Sequence, residues 1–162
     1  MPVAAALIAA CGLGAFLSGA IGKTQVEPTA IRTALAETSH VRGAPDRTLV
    51  LSRVVVEPGA KLALHHHLGT QVARIQSGVL RYTVREGAVI VRRGQSDRSP
   101  TRIRTIEAGE TAGIRAGDWI VEQPSDIHHA ENRGTEPVVI YLATLLQTGA
   151  LPSTPVSPTS SR

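Results

Sequence analysis

The 162-residue chain has a single cysteine, Cys11, and it lies in the first apolar stretch. Everything after it is without disulfides, thiolate metal ligands, zinc knuckles or a cysteine nucleophile. Aromatic side chains are almost as scarce: one Trp, two Tyr and one Phe. Lysine is nearly missing, since fifteen of the seventeen basic residues are arginine, a bias that reads as genome composition rather than as a binding function. A net charge of +4 spread along the chain, with so few rings to stack on bases, argues against a nucleic-acid partner. There is no phosphate-loop pattern and no G-x-S-x-G elbow. After residue 48 no convincing helical periodicity is found either.

What is there begins with MPVAAALIAACGLGAFLSGAIG, an opening run with no charged side chain that passes through Ser18-Gly19-Ala20, a small-x-small cleavage pattern. Residues 1–20 are expected to be a secretory signal peptide, with an uncleaved membrane anchor or lipidation at Cys11 as the alternatives. On that reading the protein is secreted, periplasmic or held in the cell envelope, and touches a membrane only through this segment. Residues 21–48 read as a polar lead-in, in which Thr29 to Thr38 forms a short helix on a weak pattern and His40 is a surface histidine. Residues 147–162, rich in Pro, Ser and Thr, read as a disordered tail.

Between them, residues 49–146 read as one β domain. About nine short strands are spaced by turns such as Pro58-Gly59, Gly78, Gly87 and Gly117-Asp118, a rhythm that predicts an antiparallel sandwich or barrel. In the strand 79–86, Leu80, Tyr82 and Val84 share one face. The final strand, VVIYLATLL (138–146), is almost wholly apolar and is expected to be buried on both faces. Arg92, Arg93, Arg98, Arg102 and Arg104 cluster around a loop at 94–101, read as a solvated hairpin end, with an anion or membrane-surface contact as the alternative.

The sharpest chemistry lies between Gly59 and Gly78, where three of the six histidines stand in a row. On a strand, His65 and His67 point to one face and His66 to the other, with Gln71 sharing the parity of the first two. A His-x-His pair sets two imidazoles about 7 Å apart along the chain, close enough to converge on one ion. A third nitrogen comes from His128 or His129, and Gln71 offers a neutral amide oxygen. Three imidazoles and an oxygen suit iron(II), manganese, nickel, copper or zinc and are too nitrogen-rich for calcium or magnesium.

The spacing from Gly59 through His65, His67 and Gln71 to Gly78 resembles the first cupin motif, G-(X)5-H-X-H-(X)3,4-E-(X)6-G, with glutamine in place of glutamate. The stretch from Gly117 to Asn132 resembles the second, G-(X)5-P-X-G-(X)2-H-(X)3-N, with the proline displaced to Pro124 and Ser125 at the inner glycine position. Gly117, His128 and Asn132 keep the intervals and favour His128; anchoring on Pro124 selects His129. The resemblance implies an all-β, single-domain cupin-type β-barrel (a double-stranded β-helix, or jelly roll), often dimeric. It implies a divalent transition metal held by His65, His67, Gln71 and His128.

Two functions follow as expectations. One is a mononuclear metalloenzyme of dioxygenase, decarboxylase or isomerase type acting on a small organic molecule. The other is a non-catalytic small-ligand-binding module of the cell envelope. No second inward carboxylate stands out by parity, because Glu131 falls opposite His128, and Tyr82 reads equally well as core filling. Catalytic residues are therefore left unassigned.

Overall fold

The computed structural model describes residues 27–94 and 101–157, so the apolar stretch expected to be a signal peptide or anchor lies outside the described residues. Among the described residues no helix is long and apolar enough to cross a membrane. The described chain is all β, in two sheets. The larger sheet is formed by β1 (Ala30–Thr38), β2 (Arg47–Val56), β4 (Gly69–Ser77), β6 (Ala88–Arg93), β7 (Thr101–Glu107), β9 (Asp118–Glu122) and β11 (Val138–Gln147), in the order β1-β2-β11-β4-β9-β6-β7. The smaller is formed by β3 (Lys61–His66), β5 (Val79–Glu86), β8 (Thr111–Arg115), β10 (Ile127–Glu131) and β12 (Thr154–Pro155), in the order β12-β3-β10-β5-β8. All pairings are antiparallel.

Alternation along each strand decides what fills the space between the sheets. From β4 the inward side chains are Gln71, Ala73 and Ile75, from β5 Leu80, Tyr82 and Val84, and from β9 Asp118, Ile120 and Glu122. Val56, Val84, Val89, Ile106, Ile114 and Val138 are fully enclosed. Each such side chain contributes about 1.5 to 3 kcal/mol through removal of apolar surface from water. Gly59 and Gly78, which bracket the histidine stretch, hold φ of 82° and 79°. At Gly78 a β-carbon would also come within 2.9 Å of the Val138 side chain, so both the turn and the packing call for glycine.

Asn132 shows why the second motif ends as it does. Its buried amide donates to the carbonyls of Val56 (2.9 Å) and Glu136 (2.8 Å), while its Oδ1 accepts from the Gly134 amide (2.9 Å). Every polar atom of the side chain is used, tying the end of β10 to β2 and to the turn before β11.

Three expectations are corrected. The segment 29–38, read as a short helix, is the edge strand β1, because backbone pairing with β2 from Ala30↔Val56 to Thr38↔Leu49 overrides a weak local preference. The stretch after 147, read as a disordered tail, returns to the barrel: Thr154 and Pro155 pair with His66 and His65 of β3. Proline fits this edge position, where its missing N–H breaks no ladder. β11, read as buried on both faces, buries only Val138, Ile140, Leu142, Thr144 and Leu146, and leaves Tyr141 on the outer surface. As a central strand between β2 and β4 it is enclosed at its edges, and one of its faces stays open.

The arginine cluster behaves as a solvated hairpin. Arg93 pairs with Asp118 (2.6 Å), Arg104 with Glu110 (3.1 Å), and the Arg92 guanidinium lies over the Trp119 ring. Arg98 lies outside the described residues.

Candidate metal centre

His65, His67 and His128 come together inside the barrel, with one ring nitrogen of each within 4.8 Å of the others. Two elements carry them. β3 delivers His65 and the chain just beyond its end delivers His67, while β10 lies beside β3 in the register His128↔His65. The ring centroids are 4.4 Å apart for His65 and His128, 4.9 Å for His65 and His67, and 5.2 Å for His67 and His128. His66 and His129 fall on the opposite parity of their strands, away from this cluster. Of the two histidines left open by the sequence, it is therefore His128 that joins the site.

The tautomers suit a metal. His65 Nδ1 lies 2.6 Å from the Ala63 carbonyl and His67 Nδ1 lies 2.7 Å from the Pro152 carbonyl, so both donate there and turn Nε2, the acceptor nitrogen, toward the cluster. A carbonyl behind each ring is the usual support of a metal-binding imidazole. Burial holds the His128 imidazolium down to about pKa 4, with Glu122 opposing and His65 and His67 reinforcing the shift. Burial likewise lowers His67, against Glu122 and the Pro152 carbonyl. Neutral imidazoles at physiological pH are the ligating form. His128 Nδ1 is buried without a hydrogen-bond partner.

Gln71 reaches the same place from β4. Its amide nitrogen lies 2.9 Å from His67 Nε2 and donates to Glu122, while its Oε1 is buried with no donor. Glu122 is the residue that sequence reasoning missed. It stands opposite Gln71 in the β4–β9 ladder, is 3% exposed, and directs its carboxylate at the histidines. Its Oε1 lies 3.3 Å from His128 Nε2 and accepts the Tyr82 hydroxyl at 2.7 Å; its Oε2 lies 3.7 Å from His67 Nε2. Burial alone would raise this carboxyl, but His128, His67 and the hydrogen bonds from Gln71 and Tyr82 outweigh it and hold it as carboxylate. Burial and Glu122 together push the Tyr82 phenol well above its ordinary value, so it remains a proton donor and stacks on His128 with centroids 5.0 Å apart.

The cluster forms one wall of a cavity of about 270 Å³, lined mainly by apolar side chains such as Val54, Leu62, Leu80 and Ile140. Among the described residues Arg32 of β1 is the one arginine or lysine that lines it, and its Nε donates to Ser52 Oγ at 3.2 Å. Pro152, Ser153 and Pro155 close another side.

No protein-family model matches the chain, and no curated protein matches it. Solved structures do. A cupin 2 domain-containing protein from Halorhodospira halophila is 15% identical over 84% of this chain and 76% of its own, with a TM-score of 0.51. The cupin domain of Cnp3 from Schizosaccharomyces pombe is 12% identical, also with a TM-score of 0.51, over 74% of this chain and 66% of that one. The chain thus spans just under two thirds of the second relative's length. At such identities the likeness speaks for fold alone, a barrel of two antiparallel sheets like that of these cupin structures. The three-histidine cluster is one that could hold a metal ion.

Proposed function

We propose that this protein is a mononuclear transition-metal enzyme that acts on a small organic anion inside the barrel. The convergence of three imidazoles on the wall of a largely apolar cavity carries this reading. His65, His67 and His128 would hold an iron, manganese, nickel, copper or zinc ion. When bound, such an ion supplies Lewis acidity or redox chemistry at the open coordination positions. The chain's own residues do the rest. Apolar walls exclude bulk water, and a volume near the lower end of ligand pockets restricts the guest to a small molecule. Arg32 offers a planar cation for a carboxylate or enolate oxygen of that guest. Dioxygenase, decarboxylase and isomerase chemistry all remain compatible with such a site. The competing reading, a binding module of the cell envelope, uses the same cavity without turnover.

Metal analysis of untagged protein, with His65→Ala and His128→Ala beside it, tests the centre. One metal per chain, lost in both variants, is the expected result. A metal-free wild type whose thermal stability is indifferent to chelator would sink the proposal. Oxygen uptake and product analysis with a panel of diketones, flavonols and phenolic acids then separate enzyme from binder.

A further inference from the structure

We propose that Glu122, reaching in from β9, supplies the anionic oxygen ligand of the metal centre, and that Gln71 is a positioning residue that holds its carboxylate. This inference rests on the metal site proposed above and assigns to that site a ligand from a variable position of the second motif, between Gly117 and Pro124.

The first ground is an unexplained buried charge. Glu122 is 3% exposed, and among the described residues the basic groups within ion-pair distance are His67 and His128. Buried carboxylates are paired with cations or bound to metals. A divalent ion between these rings and the carboxylate would supply the cation that Glu122 faces.

The second ground is distance. Ligand atoms about 2.1 Å from one ion lie about 3.0 to 3.4 Å apart when they are neighbours in an octahedral or tetrahedral shell. Glu122 Oε1 stands 3.3 Å from His128 Nε2 and Oε2 stands 3.7 Å from His67 Nε2. The first distance is that of a neighbouring ligand and the second is a few tenths of an ångström longer, so the carboxylate stands close to a ligand position beside both rings.

The third ground is the orientation of Gln71. Its amide nitrogen, which is no metal ligand, faces both Glu122 and His67 Nε2. Turning the amide to present Oε1 would set an acceptor against the carboxylate and forfeit that hydrogen bond. Gln71 and Glu122 are register partners on adjacent strands with side chains on the same face. A carboxylate missing from position 71 is thus recovered one strand away. Three imidazoles and a carboxylate bring a dication to net +1, which lowers the cost of enclosing it.

Cobalt(II) is a suitable probe, because its visible absorption reports the ligand set and competition with a chromophoric chelator gives affinity. Wild type, His65→Ala, Glu122→Gln, Gln71→Ala and the exchange variant Gln71→Glu/Glu122→Gln are compared, with thermal melts as the check on folding. We expect wild type to bind one cobalt, His65→Ala to lose it, and Glu122→Gln to weaken binding about 100-fold with an altered spectrum. Gln71→Ala is expected to lose about 10-fold, the scale of an outer-shell contact. The exchange variant, with its carboxylate moved to β4, should recover most of the lost affinity. Wild-type affinity and spectrum in Glu122→Gln, with His65→Ala still defective, overturn the role of Glu122 and leave the histidine site standing. A larger loss in Gln71→Ala than in Glu122→Gln overturns it as well. Failure of wild type to bind cobalt removes the site and this inference together.

Discussion

Gln71 and Glu122 face each other across the β4–β9 ladder, both buried, with the amide of one donating to the carboxylate of the other. Glutamate at position 71 would set two buried carboxylates against each other. Gln71→Glu alone should therefore cost the metal-free protein about 3 kcal/mol, or raise the pKa of one carboxyl until it is protonated. Chemical denaturation with chelator present, at pH 5 and pH 8, checks this. The deficit should be larger at pH 8.

Tyr82→Phe removes a single hydroxyl from the Glu122 carboxylate and leaves the ring packing intact. A hydrogen bond to a buried charge is worth about 1.5 to 3 kcal/mol, so the unfolding free energy should fall by that amount, seen as a lower urea midpoint with an unchanged slope. Loss of less than about 0.5 kcal/mol would show that the hydroxyl–carboxylate bond is not formed in solution.

His128 makes the metal-free protein acid-sensitive. Its folded pKa of about 4 lies below the unfolded value of 6.5. Between these values the unfolded chain binds a proton that the folded one refuses, so stability falls as pH drops from about 6.5 towards 4. The shift corresponds to about 3 kcal/mol for this one group. In chelator-treated protein, His128→Leu should flatten that part of the stability-against-pH curve. An equal slope in wild type and variant would contradict the assignment.

Ending the chain after Ala150 removes Pro152, whose carbonyl fixes the His67 ring, together with β12. The rest of the barrel should still fold, because β12 adds little to the core. Metal retention should fall about 10-fold or more, as for loss of an outer-shell hydrogen bond. Dissociation measured against a chelator, with circular dichroism to confirm the strands, tests the point.

Much of the architecture was legible because it rests on local chemistry. Alternation in 79–86 placed Leu80, Tyr82 and Val84 inside, and the intervals from Gly59 to Gly78 brought His65 and His67 to one face. Glu122 was hidden by the composition of its strand. In DWIVE the bulky residues are Trp119 and Val121, which suggests the wrong inward parity. In the fold Trp119 lies outside, its Nε1 donating to the Gly94 carbonyl and Arg92 lying over its ring, while Asp118, Ile120 and Glu122 turn inward. Reading the parity from Ile120 would have found the carboxylate. β1 and β12 were illegible for a different reason. The alanines of β1 and the proline of β12 are poor strand formers, and both segments are extended because a neighbouring edge supplies their hydrogen bonds.

β12 pairs through two residues, whereas β11 is locked between two long neighbours. Resistance to hydrogen exchange is not uniform in such a structure, and short edge pairings open at far lower free energy than central ones. The Nδ1 partner of His67 therefore inherits the local stability of the most easily detached strand, not the global stability of the barrel. The ring orientation of one candidate ligand is set beside the shortest strand among the described residues.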